Sequence, residues 1–246
     1  MHKPSTPSPD TLALLQRLYE SQSTYQPDEA IAAQLAHKHV LLFVGPTCAG
    51  KNTVMETVAK TNGSFTTVGR FTSREPRPDD KGYTYYDNTD AGLAPILRAI
   101  SERHVVQYAV HPYAHTLYGS NLEDYPGKYN MADVFSGAVA QFKQLGFQQT
   151  MVLSIATDPT AWRKRFDERF PIGHPQRQAR RNEAIESLTW SLTQHANDRH
   201  WIENVDGKPE IAAQRVIAIT AGVSSNEERL RTLATANLRA IQEVKV

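Results

Sequence analysis

Gly45-Pro46-Thr47-Cys48-Ala49-Gly50-Lys51-Asn52-Thr53 follows the apolar run Val40-Leu41-Leu42-Phe43-Val44 and precedes a helical stretch that opens Val54-Met55. A short apolar run ending in glycine predicts a strand covered on both faces of a parallel sheet. In the segment after it, glycines let successive backbone N–H groups curl around phosphate oxygens. The helix N-terminus adds partial positive charge, and Lys51 is placed to reach the β/γ-phosphates of a nucleotide. Strand, loop and helix in that order are the context such a loop requires. Asn52 stands where a Ser or Thr hydroxyl would ligand Mg²⁺, with Thr53 next to it. Cys48 lies close to a helix start that would lower its pKa, although a small residue fitted to the turn is the favoured reading.

The rest of the composition agrees with a globular α/β chain. Of 246 residues, 40% are hydrophobic and 22% charged, which is enough for a sizeable core in one large domain or one domain with appendages. The 27 Lys+Arg against 26 Asp+Glu leave a formal charge of +1, which excludes the basic footprint of a protein that coats nucleic acid. A mean hydropathy of −0.50 and the lack of an apolar run near the ~20 residues that span a bilayer argue against a membrane protein. The opening Met1-His2-Lys3-Pro4-Ser5-Thr6-Pro7 has no apolar secretory stretch, so the expected location is the cytoplasm. One cysteine cannot form an internal disulfide.

Outward from the loop, a loose Pro/Ser/Thr-rich start over residues 1–9 gives way to Leu12, Leu15 and Leu18 at helical spacing. Pro27-Asp28-Glu29 marks a second helix start, continued by Ile31 and Leu35. Further strands are predicted at Val105-Val106, 131–134, 151–155 and 216–219, with a helix over 138–145 between them. After Gly222, Ser224-Ser225-Asn226-Glu227-Glu228 reads as a helix cap, and Leu230, Leu233, Leu238, Ile241 and Val244 form an approximate stripe. Both terminal helices are expected to pack on the core, with a homodimer interface as the alternative.

A second cluster reads Arg70-Phe71-Thr72-Ser73-Arg74-Glu75-Pro76-Arg77, then Gly82-Tyr83-Thr84-Tyr85, then Leu117-Tyr118-Gly119-Ser120. Together with the phosphate loop, in this order and spacing, the chain resembles the guanylate kinase family over about residues 38–221. The resemblance implies a P-loop NTPase-type parallel sheet with flanking helices, an inserted acceptor-binding subdomain at about 69–125 and a helical lid at about 163–185. The whole is divided as an N-terminal arm (1–37), a guanylate kinase-like domain (38–223) and a C-terminal helix (224–246). The implied activity is phosphoryl transfer from ATP, with Mg²⁺, to a nucleoside monophosphate.

Carried over by position, Arg74, Arg77, Tyr85, Tyr118 and Ser120 match the residues that grip the acceptor's phosphate. Guanidinium forks bind phosphate bidentately, and a tyrosine hydroxyl adds a donor without charge. Gln107 falls where the family's glutamate accepts from guanine, and an amide there discriminates less sharply among bases. Asp133 matches the first aspartate of an Asp-x-Asp pattern whose second is Phe135 here. At a strand end beside the loop, Asp133 is placed to hold an Mg²⁺-bound water or a base amino group.

Asp158-Pro159 introduces a third cluster, in which residues 163–181 hold seven cations against two acids. Arg165 and Arg169 stand i,i+4 on one helix face and, with Arg180, match lid arginines that close on phosphates. One such arginine is worth roughly 10³–10⁵ in rate. Asn204 matches an asparagine near the donor's adenine. The predicted ATP site is therefore Gly45, Pro46, Thr47, Cys48, Ala49, Gly50, Lys51, Asn52, Thr53 and Asn204, with Lys51, Arg165, Arg169 and Arg180 catalytic. Asn52 and Asp133 are the predicted Mg²⁺ positions. GMP is the leading acceptor, and no nucleic acid or membrane partner is expected. Another nucleotide or a sugar phosphate as acceptor, or a non-catalytic binding module, stays open. His111 and His115 are i,i+4, but Pro112 argues against a helix that would bring both to one metal.

Overall fold

Four helix starts in this chain are set by short polar side chains that accept from otherwise unbonded N–H groups. Ser8 accepts from Thr11 N–H at 3.3 Å, Asp28 from Ile31 N–H at 2.8 Å, Thr89 from Gly92 N–H at 3.1 Å, and Asp158 from Thr160 and Ala161 N–H at 2.9 Å. A computed structural model describes residues 6–76, 82–111, 114–195, 198–223 and 227–245. In chain order its elements are α1 (Pro9–Ser21), α2 (Glu29–Leu35), β1 (His39–Val44), α3 (Lys51–Thr61), β2 (Phe65–Thr67), β3 (Arg70–Thr72), β4 (Tyr83–Tyr85) and α4 (Asp90–Ser101). They continue with β5 (Gln107–Val110), β6 (Leu117–Ser120), β7 (Tyr129–Asp133), α5 (Val139–Phe142), β8 (Gln149–Ala156), α6 (Pro159–Arg169), α7 (Arg177–Thr193), β9 (His200–Glu203), α8 (Pro209–Thr220) and α9 (Glu227–Gln242).

The chain divides into two compact units: Met1–His39, Val68–Asn130 and Ala140–Gln149 in one, and Val40–Thr67, Met131–Val139 and Thr150–Val246 in the other. The first contains a four-stranded sheet in the order β4-β3-β6-β5. One face of this sheet packs Phe71, Tyr108, Val110 and Leu117 against Leu15 of α1 and Leu93, Ile96 and Ile100 of α4. The leucines at helical spacing in α1 therefore cover the sheet. Gly119 is obligatory at its position, because a Cβ there would lie 2.1 Å from the Phe71 ring.

The second unit is built on a five-stranded parallel sheet in the order β2-β7-β1-β8-β9. Val40 to Val44 are fully buried, as expected of a central strand covered on both faces. Trp162 and Phe166 of α6, Ala184 and Leu188 of α7, Trp201 of β9, and Leu230, Ala234 and Ile241 of α9 form one apolar cluster. The stripe of α9 is thus buried inside its own unit. Among the described residues no helix is long and apolar enough to cross a membrane.

Several expectations need correction. Residues 216–219 are not a strand: they lie in α8, where Ala212, Ala213, Val216 and Ile219 are buried at helical spacing behind Pro209. Four apolar residues alone do not distinguish the two periods, and the wider spacing decides. The strand at Val105-Val106 starts later, at Gln107, and the helix over 138–145 shrinks to α5, preceded by a 3₁₀ turn at Ser136–Ala138. The loose start is shorter than expected, since Ser8 already caps α1 and its N–H donates to Asp90 at 2.8 Å. The expected cap at 224–226 lies outside the described residues.

Asn237 is fully buried on α9, and neither its amide nitrogen nor its oxygen has a partner among the described residues. An unsatisfied buried amide costs about 1–3 kcal/mol. Asn237→Leu, which keeps the branching and the number of side-chain heavy atoms, is expected to raise the thermal midpoint in calorimetry by several degrees; a lowered midpoint would show that the amide is satisfied.

Candidate active site

The loop between β1 and α3 is held from outside by its carbonyls. Lys51 Nζ donates to the carbonyls of Gly45 at 2.7 Å and Pro46 at 3.1 Å. Trp162 Nε1 donates to Thr47 at 2.7 Å, Arg165 Nε to Cys48 at 3.0 Å, and Asn204 Nδ2 to Ala49 at 2.8 Å. Every carbonyl from residue 45 to 49 thus accepts from a side chain. A peptide group is planar, so fixing one carbonyl directs the next residue's N–H the opposite way. Fixing Thr47 and Ala49 therefore directs the N–H groups of Cys48 and Gly50 away from Trp162 and Asn204. The N–H groups of Cys48, Gly50, Lys51 and Asn52 have no acceptor among the described residues. Unbonded donors at the start of an 11-residue helix are the arrangement that an anion-binding concavity requires.

Gly50 is required twice over. Its φ of +85° is left-handed, and a Cβ there would lie 2.3 Å from Asn204 Nδ2. Any side chain would push away the amide that holds Ala49. Cys48 also lies in the left-handed region, at φ 63°, without the freedom of glycine. Burial pushes its thiol above the ordinary cysteine value, and Arg169, the Thr47 side chain, Lys51 and Arg165 only partly counter this. The helix start therefore does not activate the thiol.

Lys51 Nζ lies 3.6 Å from Asp133 Oδ1, at the end of β7 next to β1 in the sheet. Both groups are at least two-thirds buried, which concentrates their field. Asn52 and Thr53 are exposed, and the Phe135 ring is 67% exposed two residues beyond Asp133. Among the described residues no three His, Cys, Asp or Glu side chains cluster to hold a metal, which includes the histidines at 111 and 115.

The basic cluster is less free than its charge count suggests. Arg163 pairs with Asp167 at 2.5 Å, and Arg180 with Glu183 at 2.7 Å. Arg177 is buried and donates to Asp167 at 2.7 Å, to the Lys245 carbonyl at 2.8 Å and to the Phe170 carbonyl. Arg181 donates to the carbonyls of Ile241 and Gln242. These bonds tie the α6–α7 pair to α9. Burial raises the Asp167 pKa, but hydrogen bonds from Arg163 and Arg177 outweigh it and hold the carboxyl below its usual range. Arg165 is bound to Cys48, to Asp206 at 2.7 Å and to Thr157 Oγ1 at 2.9 Å. Thr157 in turn donates to the Asn204 carbonyl at 3.2 Å. Arg169 is exposed, has no ion-pair partner among the described residues, and is the charge that most lowers the Cys48 pKa.

Asn204, expected near an adenine, is buried and spends its amide nitrogen on the loop. Trp162 had no expected role, and its only sequence signal is an aromatic residue in the first turn behind the Asp158-Pro159 cap.

In the four-stranded sheet, register assembles most of the expected acceptor residues on one face. Tyr85 is opposite Thr72, Thr72 opposite Tyr118, and Ser120 opposite Gln107. Paired residues and their i±2 neighbours share a side, so Arg70, Thr72, Tyr83, Tyr85, Gln107, Tyr118 and Ser120 lie together on the side away from Phe71 and Leu117. The Arg74 guanidinium lies 4.9 Å from the Tyr83 ring and 6.0 Å from the Tyr85 ring. Ser120 Oγ is 2.8 Å from Tyr125 Oη in a buried pair, so its hydroxyl is engaged internally. Arg77 lies outside the described residues.

No protein-family model matches the chain. No curated protein matches it. Among solved structures it is similar to guanylate kinase from Anaplasma phagocytophilum, with 14% identity and a TM-score of 0.47 over 82% of this chain and 95% of that one.

Iodoacetamide alkylation of Cys48, followed by mass spectrometry against pH, is expected to titrate with a midpoint above that of an unstructured cysteine peptide. A midpoint at or below the peptide's would mean that the loop stabilises thiolate after all.

Proposed function

We propose that this chain transfers the γ-phosphoryl group of ATP directly to a nucleoside monophosphate, with GMP the favoured acceptor. The observation that supports it most is the loop whose Thr47, Cys48 and Ala49 carbonyls are bound by Trp162, Arg165 and Asn204, which leaves N–H donors for phosphate, with Lys51 Nζ in reach on the Gly45 and Pro46 carbonyls. Phosphoryl transfer through a loose transition state needs in-line positioning and neutralised oxygens rather than a covalent intermediate. Lys51 moves from the Gly45 and Pro46 carbonyls to the outer phosphates, while Arg169, with Arg180 and Arg165, supplies charge to the transferring group. Arg74, Arg77, Tyr85 and Tyr118 hold the acceptor's phosphate, and Gln107 faces its base, while Ser120, buried against Tyr125, supports the sheet rather than the phosphate.

Mg²⁺ bound with the nucleotide would neutralise phosphate charge. The Asn52 amide oxygen and the Asp133 carboxylate are hard oxygen donors beside Lys51 that suit such an ion, held mainly by phosphates and water. ATP and a diffusible nucleotide are the partners of this reaction, and the cytoplasm is its proposed location. The apolar stripes of α1 and α9 are buried within their own units, so no homodimer is proposed through them.

A different nucleotide or a sugar phosphate is the second reading of the acceptor. It is favoured by the exposed Phe135 ring and by Gln107, which can donate as well as accept.

A coupled ADP-release assay with ATP, Mg²⁺ and each of GMP, dGMP, AMP, CMP, UMP and ribose 1,5-bisphosphate tests both readings. GMP is expected to give the highest kcat/KM, with Gln107→Glu sharpening the preference. Lys51→Ala is expected to lower turnover by about a hundredfold or more with an unchanged far-ultraviolet spectrum. Turnover unaffected by that substitution, or none with any acceptor, would refute the proposal.

A further inference from the structure

Of the donors that hold the phosphate loop, Trp162 alone is neither charged nor part of any expected nucleotide contact. It sits in the first turn of α6, is fully buried, and stacks on Phe166 with centroids 4.8 Å apart and planes at 22°. Its Nε1–H reaches the Thr47 carbonyl at 2.7 Å, as short as the Lys51 bond to Gly45. Trp201 provides the internal contrast. It is equally buried, yet its Nε1 has no partner among the described residues, and the Arg199 guanidinium lies 4.5 Å from its ring. Burial alone therefore does not oblige an indole N–H of this chain to find a carbonyl.

The consequence of the Thr47 bond follows from peptide planarity. The carbonyl of Thr47 and the N–H of Cys48 belong to one rigid group and point in opposite directions. We infer that Trp162 is a positioning residue of the phosphate loop: by fixing the Thr47 carbonyl it directs the Cys48 N–H toward the bound phosphate. The inference rests on the reading of this loop as a nucleotide phosphate site. It also assigns a role to Phe166, whose stacking keeps the indole from turning its N–H aside.

The test compares Trp162→Phe, which keeps an aromatic ring and removes the donor, with Trp201→Phe, which makes the same deletion at an equally buried site where no bond is lost. Backbone ¹⁵N order parameters and ATP affinity by calorimetry are measured on the full chain. Incorporation of benzothienylalanine at position 162, which retains the indole shape without the N–H, gives the same readout should Trp162→Phe fold poorly. The Cys48 order parameter is expected to fall from about 0.85 to below about 0.6 in the position 162 variants and to stay unchanged in Trp201→Phe. ATP affinity is expected to fall about fivefold or more at position 162 only. A Cys48 amide as rigid as in the wild type, equal loosening by Trp201→Phe, or ATP bound as tightly by the loosened loop would overturn the inference. Wild-type protein that binds no ATP would refute the proposed function, and the order parameters would still decide whether Trp162 positions the loop.

Discussion

A phosphate loop needs its N–H groups on one side, and this requires that its carbonyls be stabilised on the other. In this chain the side chains of Lys51, Trp162, Arg165 and Asn204 bind all the carbonyls from Gly45 to Ala49. Four of these residues' neighbours depend on that arrangement in turn: Gly50 must lack a Cβ, Thr157 bridges Arg165 to Asn204, Asp206 balances Arg165, and Phe166 braces Trp162. An unbonded carbonyl in so buried a turn would cost roughly what a lost hydrogen bond costs. The cradle is therefore assembled from distant parts of the chain, and its preorganisation comes from α6 and the segment after β9 as much as from the glycines.

The arginines of α6 and α7 divide by partner. Arg177 and Arg181 reach the carbonyls at the end of α9, Arg163 and Arg180 are paired with carboxylates, and Arg165 supports the loop. A charge count along the sequence treats all of them as available for phosphate, whereas a guanidinium bound to carbonyls and carboxylates is available only after exchange of those bonds. Arg169 needs no such exchange among the described residues, which makes it the readiest source of charge beside the loop. The bonds to α9 also anchor the helix pair that the family resemblance casts as a lid.

The β1–loop–α3 segment was legible because its signals are local: a continuous apolar run, two glycines and a lysine at fixed offsets. The four-stranded sheet was not, because β3 and β4 are three residues long and their pairing is set by partners more than ten residues away. Its shared polar face became visible only through register, which brings Tyr85, Thr72 and Tyr118 into one row. Residues 216–219 mislead for the opposite reason, since their strong local apolar signal masks the helical spacing around them. Trp162 and Asn204 act on backbone carbonyls, and a carbonyl leaves no trace in side-chain spacing. Motif reading therefore finds the side chains expected at a ligand more readily than those that hold the backbone of the loop.

The central claim, that the N–H groups of the loop receive phosphate, is tested most directly by titrating ¹⁵N-labelled protein with ATP and following the amide resonances. The bound carbonyls predict saturable downfield shifts at Cys48, Gly50, Lys51 and Asn52, whose N–H groups have no acceptor among the described residues. Saturable shifts confined to other parts of the chain, with these four amides unmoved, would contradict it.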